Sequence, residues 1–192
     1  MKYYTGIGSR NTPCHIQQLI IKIAYKLAGM GYTLRSGAAR GADSAFERGA
    51  SHWFEDNGES YPAPASLMQI YIPWDSFVSI PQDYGDCYVS LARQKTKYDA
   101  EKIASEIHPA WERCSRGAKA LHSRNIYQVL GVNLTKPSSF LIAYAEPAKD
   151  GGVKGGTATA WNLAKKYNVP CFNLYVKEDR ERLEKWLEGN DE

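Results

Sequence analysis

The chain has 192 residues, and at ~150 residues per domain this length fits one domain carrying insertions. Its 43% hydrophobic and 23% charged residues are those of a globular protein, and 16 Gly with 9 Pro exclude collagen-like and disordered compositions. The formal net charge of +3 hides an asymmetry: residues 93–136 hold nine bases against four acids, and residues 177–192 hold seven acids against four bases.

Residues 2–5 are expected as a strand that runs into Gly6-Ile7-Gly8-Ser9-Arg10. Pro13 then opens a helix, at a position proline tolerates. Ile16, Leu19, Ile20, Ile23, Ala24 and Leu27 repeat at helical spacing up to a stop at Gly29 and Gly31. Residues 32–35 form the second strand, and residues 36–43 turn sharply into a helix through about residue 55. Residues 57–66 are a Pro/Gly/Ser loop, residues 69–73 the third strand, and residues 74–92 are irregular. Helical periodicity over 93–107 is interrupted at His108-Pro109 and resumes over 119–134. Residues 139–145 are a continuous apolar run, the pattern of a buried central strand. A loop over 145–154 leads to Gly155-Gly156-Thr157, which opens the next helix. Residues 170–175 are the last strand. A charged helix over 178–187 follows, with opposite charges at i,i+4 in Glu178/Arg182 and Glu181/Lys185.

Strands alternating with helices imply right-handed crossovers and a doubly wound parallel sheet of about five strands, with helices on both faces. The expected organisation is one domain over 1–192, with an inserted helical segment at about 93–136. Ligands of such folds sit at the carboxyl ends of the strands, where the strand order reverses.

Three loops share one design, each following a strand and opening a helix: Gly6–Arg10, Ser36–Asp43 and Gly155–Thr157. Glycine lets backbone approach a ligand closely. The following helix offers free N–H groups and a positive dipole end, which suits a phosphate. Ser9, Ser36 and Thr157 add hydroxyls, and Arg10 and Arg40 add charge-assisted donors. Tight strand-to-helix turns use glycine for geometry alone, so it is the repetition at three strand ends that points to a phosphate. None of the loops reads GxxxxGK[ST], and the dinucleotide fingerprint GxGxxG also fails, because Gly6 and Gly8 are followed by Asn11.

SGAARGADSAFERGA resembles the SGxARGxD segment of DNA-processing protein A, the Smf/DprA family. HSRN at 122–125 is similar to that family's RNR segment. LIAYAEP with GGTATAWNLAKKYNVPCFNLY resembles its final strand, glycine turn, helix and strand. The layout is that of the SLOG (Smf/lonely-guy) superfamily. HPAW at 108–111 and RNIYQVLG at 124–131 look closest to DprA-like proteins of tailed bacteriophages. The resemblance implies a Rossmann-like fold with a nucleotide or nucleic-acid phosphate site. By motif match Arg10, Ser36, Gly37, Arg40, Gly41, Asp43, Arg124, Gly155, Gly156 and Thr157 would line it, beside Gly6, Gly8 and Ser9 of the first loop. It also implies a homodimer and, for a phage protein, the host cytoplasm. Two departures bear on function. The lonely-guy phosphoribohydrolases carry GGxGTxxE, whereas this chain reads GGTATAWNL with no acid in that turn. The flanking domains of recombinase-loading relatives are not expected within these 192 residues, so recombinase loading is not carried over from the resemblance.

The expected function is therefore binding of a nucleotide or of single-stranded DNA phosphates, without obvious catalytic machinery. Trp74, at the mouth of the third strand, is the candidate for stacking a base. The alternatives are a nucleoside-monophosphate N-glycosidase, with Glu146 or Asp43 as its carboxylate, and a receptor or sponge for a nucleotide messenger. Asp43 also suits a helix N-terminus electrostatically. No apolar run approaches the ~18 residues of a membrane span, and MKYYTGIGSR enters a strand at once, so neither a membrane partner nor a signal peptide is expected. Cys14, Cys87, Cys114 and Cys171 form no CxxC pair, which favours free thiols and a cytoplasmic setting. His15, His52, His108 and His122 fit no HExxH or CxxC…H spacing, so neither a metal nor a cofactor is expected.

Overall fold

The computed structural model describes residues 1–58 and 64–189; residues 59–63 of the expected loop and residues 190–192 of the acidic tail lie outside the described residues. The chain alternates strand and helix as β1 (Lys2–Gly8), α1 (Cys14–Gly29), β2 (Tyr32–Ser36), α2 (Ala42–Asn57), β3 (Met68–Ile72), β4 (Tyr88–Ser90), α3 (Lys97–Ile107), α4 (Arg116–Leu130), β5 (Phe140–Tyr144), α5 (Thr157–Lys166), β6 (Cys171–Asn173) and α6 (Lys177–Leu187). Short 3-10 turns join several of them.

The strands form one six-stranded sheet in the order β4-β3-β2-β1-β5-β6, parallel throughout. The doubly wound Rossmann-like architecture is thus as expected, with one correction: the sheet has six strands rather than about five. The sixth is β4, which lies in the stretch expected to be irregular. It is three residues long and pairs Ile70 with Tyr88 and Ile72 with Ser90. So short a segment carries no alternation to read, and only its neighbour β3 makes it a strand.

Successive side chains of β1 serve opposite faces. Tyr4 points to one face, stacking on Phe140 at 5.7 Å between ring centroids and meeting Phe46 of α2 edge-on at 6.2 Å. There α1 and α2 supply Ile16, Ile20, Ile23, Leu27 and Phe46 to a continuous core. Thr5 points to the other face and donates its hydroxyl to the carbonyl of Gln128 in α4 at 2.6 Å. On that side Ile126, Val129 and Leu130 of α4 pack with Trp161 and Leu163 of α5, and Ala100 and Ala104 of α3 complete the layer. Residues 97–130 therefore cover one sheet face rather than standing beside it.

Local signals set the ends of these helices. Ser115 caps α4 by accepting the N–H of Ala118 at 3.2 Å. Gly131, at φ 74°, ends it. Arg35 of β2, only 2% exposed, donates to the carbonyls of Val129 at 3.3 Å and Lys136 at 2.7 Å and lies 3.8 Å from the ring centre of Tyr3. A cation at the carboxyl end of a helix satisfies orphan carbonyls and the dipole together. No helix among the described residues is long and apolar enough to cross a membrane.

Candidate functional site

The strand order reverses between β1 and β5, because β2 continues on one side of β1 and β5 lies on the other. The crevice beyond their carboxyl ends is where ligands of such sheets bind. A cleft of about 430 Å³ opens there, within the usual range for small-molecule sites. Its walls come from the loop after β1 (Gly8, Ser9, Arg10, Asn11), the start of α2 (Asp43), one face of α4 (His122, Arg124, Asn125) and the segment from Glu146 to Thr157 that leads into α5.

The loop after β1 is held by its own backbone and by Asp43. Ser9 donates its N–H to the carbonyl of Tyr144 at 2.8 Å, and its carbonyl accepts the N–H of Ala42 at 3.2 Å. Gly8 donates its N–H to Asp43 Oδ1 at 3.1 Å. A Cβ on Gly8 would lie 2.6 Å from the Tyr144 carbonyl oxygen, so no larger residue lets β1 and β5 meet this closely. Gly41, at φ 88°, places α2 against the same loop, with a would-be Cβ 2.4 Å from the Ser9 carbonyl oxygen.

Arg124 is 6% exposed and crosses under the cleft. Its Nη1 donates to the carbonyl of Gly37 at 2.6 Å and its Nη2 to Asn125 Oδ1 at 3.1 Å. Its Nε is buried without a partner. Asn125 in turn donates to the carbonyl of Gly156 at 2.7 Å, tying α4 to the start of α5. Burial pulls the Arg124 pKa down, and Asp43 opposes that shift. Burial pushes Asp43 up to about 6, against the pull of Arg124 and of the backbone amides of Gly8, Ala39 and Gly37. Its second oxygen, Oδ2, is buried and unpartnered. One turn further along α2, burial raises Glu47 to about 7, although it accepts the Tyr88 hydroxyl at 3.0 Å.

The cleft thus gathers Gly8, Ser9, Arg10, Asp43, Arg124, Glu146, Gly155, Gly156 and Thr157 from the residues singled out in the sequence. The others serve beneath it or away from it. Ser36 is fully buried and gives its hydroxyl to the carbonyl of Gly6 at 2.7 Å, so it cross-links β2 to β1 instead of facing a ligand. Gly6 makes room for the ring of Phe46, and Gly37 for Arg124 and Gln128. Arg40 is exposed and Gly41 lies against the backbone of Ser9 and Arg10; neither lines the cleft. Trp74 also lies away from it, edge-on to Phe77 at 5.4 Å. Glu146 stands at the mouth, ion-paired with Lys154.

Two further side chains, to which the sequence had given no site role, line the cleft. His122 and Asn125 share one face of α4 with Ala118 and Leu121, at the i, i+3, i+4, i+7 spacing that does mark such a face. The basic segment over 93–136 contributes Arg124 alone of its nine bases to the cleft. Arg93 is paired with Asp75 at 2.8 Å, Lys136 lies over Tyr3, and Lys97, Arg116 and Lys119 line a separate cavity.

No protein-family model and no curated protein matches this sequence. Solved structures do share its fold. A structure of DNA processing protein A from Helicobacter pylori, described for its single-stranded DNA binding mode, matches with a TM-score of 0.52 and 18% identity, covering 100% of this chain and 74% of that one. The molybdenum cofactor carrier protein from Chlamydomonas reinhardtii matches with a TM-score of 0.51 and 14% identity, covering 99% and 87%. At these identities the likeness is one of fold.

Proposed function

We propose that the chain binds the phosphate of a nucleotide in the cleft between the carboxyl ends of β1 and β5. The observation that carries this reading is Arg124, a buried guanidinium in the wall of the cleft with its Nε unspent. Arg10 would add a second guanidinium from the rim. The amides that open α5 would add the donors and dipole that a helix start offers an anion. Asp43 serves the binding loop by holding the Gly8 amide, a positioning role.

A fold shared with both a single-stranded DNA binder and a cofactor carrier admits a polymer or a small ligand. The distribution of charge favours the small one, since most of the basic segment points elsewhere. Trp74 then has no part in stacking the base. Titration calorimetry with the four nucleoside monophosphates and with an oligothymidylate, at low and high salt, tests the reading. The expected result is mononucleotide binding with a shallow salt dependence, weakened in Arg10→Ala. Steep loss of oligonucleotide affinity with salt would instead make the ligand single-stranded DNA. Binding of neither would overturn the proposal.

A second reading rests on Asp43 Oδ2, a carboxylate oxygen without a partner whose group burial raises to about 6, the direction that suits a general acid. It is cleavage of the N-glycosidic bond of the bound nucleotide. Chromatography for released free base decides it, with Asp43→Asn as the inactive comparison.

A further inference from the structure

We propose that His108, Cys114 and His122 bind one zinc-type divalent cation beside the cleft, through two imidazoles and a thiolate. The three come from different pieces of chain. His108 follows α3, Cys114 lies in the turn that precedes α4, and His122 is in the second turn of α4. Their spacings of six and eight residues match no sequence motif, yet one ligand atom from each lies within 4.8 Å of the others.

The distances suit a shared ion. Cys114 Sγ is 3.8 Å from His108 Nδ1 and 3.9 Å from Nε2, and the two imidazole centroids are 4.3 Å apart. Zinc bonds of ~2.3 Å to sulfur and ~2.0–2.1 Å to nitrogen set tetrahedral neighbours roughly 3.3–3.6 Å apart, so closure by at most ~1.5 Å from the 4.8 Å limit completes the site. A borderline-soft ion is the right class, because the donors are two imidazoles and a thiolate with no carboxylate among them.

The surroundings orient the ligands. Thr159 of α5 meets His122 Nδ1 at 2.8 Å; with that nitrogen donating to the hydroxyl, the Nε2 lone pair is free for metal, the usual outer support of a ligating histidine. Ala110 donates its N–H to His108 Nδ1 at 3.2 Å, which holds the ring proton on Nε2; ligation gives up this hydrogen bond, either at Nδ1 itself or by moving the proton to Nδ1 and freeing Nε2. Trp111, 9% exposed, meets the His108 ring edge-on at 6.4 Å and shields the group. A cavity of about 460 Å³ borders Cys114, with Arg116, Lys119 and Ser123 in its walls. Binding replaces the thiol proton of Cys114, which leaves as H⁺, so the occupied site gains a single net positive charge. Three protein ligands leave one coordination position for water. The site shares His122 with the wall of the cleft but does not rest on the phosphate reading.

Untagged full-length protein, stripped with a chelator, is titrated with Zn²⁺ against a chromophoric competitor, and separately with Co²⁺. We expect one ion per chain, and a Co²⁺ spectrum with a thiolate charge-transfer band and intense tetrahedral d–d bands. Cys114→Ser and His122→Gln lose the tight site, Thr159→Val weakens it about tenfold, and Cys14→Ser leaves it intact. The Co²⁺ spectrum reads the wild-type protein, so it decides even where a variant misfolds. No stoichiometric Zn²⁺ binding, a Co²⁺ spectrum without the thiolate band, or equal affinity in Cys114→Ser would each overturn the proposal.

Discussion

Arg124 of α4 donates Nη1–H to the main-chain carbonyl of Gly37 at 2.6 Å, joining the helix layer to the loop after β2. Gly37 is small for this reason: a Cβ there would lie 2.7 Å from the guanidinium carbon. Arg124→Met should leave the Gly37 carbonyl without its charged donor and cost about 1.5–3 kcal/mol. Arg124→Lys keeps a charge but cannot reach Gly37 and Asn125 at once. It should fold with a lower Tm and bind nucleotide at least about tenfold more weakly, a loss of ~1.4 kcal/mol. Thermal denaturation and calorimetry on the two variants check both effects.

Glu47 makes stability depend on pH. Its folded pKa, about 7, is above the ordinary 4.5, so the folded state holds its proton more tightly than the unfolded chain does. The contribution is complete below about 4.5 and is lost as pH rises through about 7. Glu47→Gln removes the ionisation while keeping an amide oxygen for the Tyr88 hydroxyl. At pH 5 and below it should melt close to the wild type. At pH 8 it should be more stable by on the order of 1 kcal/mol, or roughly 2–4 °C in Tm. Equal Tm differences at both pH values would contradict this.

Gly41 combines a left-handed backbone with a closed space, since its Cβ would meet the Ser9 carbonyl oxygen at 2.4 Å. Gly41→Ala should destabilise by more than the ~1 kcal/mol of a strained backbone alone. Because Ser9 and Arg10 must move aside, nucleotide affinity should fall in the fraction that still folds. Gly85, which has open space around it, is the control whose replacement by alanine should do neither.

Arg35 separates stability from binding. It holds three acceptors, the carbonyls of Val129 and Lys136 and Gln69 Oε1, and lies outside the cleft. Arg35→Met should cost about 3 kcal/mol by orphaning buried carbonyls, and Arg35→Lys should restore little. Nucleotide affinity below the melting transition should be unchanged in both.

The repeated elements were legible in the sequence because each buries one periodic face. The Ile16, Ile20, Ile23 and Leu27 stripe marks α1, and the apolar run around residues 140–144 marks a strand covered on both sides. The glycine loops also lie at the end of the sheet where the cleft opens. Their chemistry did not follow from residue type, because a serine or arginine near a glycine says nothing of what its polar atoms already hold. Ser36 is spent on Gly6, Arg40 faces water, and Trp74 belongs to Phe77. The histidine and thiol cluster escaped notice because two turns of irregular chain bring together residues whose separations follow no helical or strand period.

The position of β1 has a kinetic and thermodynamic consequence. It lies between β2 and β5, with Thr5 beside Arg35 on one side and Leu141 on the other. Its second neighbour is far along the chain, so half its hydrogen-bond ladder waits on a long and entropically costly closure. The cleft sits at that last seam. Partly folded chains in which β5 has not docked therefore lack the site, and a ligand acts on the global equilibrium rather than on a local one. It should raise the midpoint of unfolding by RT ln(1 + [L]/Kd) and slow hydrogen exchange in every strand alike.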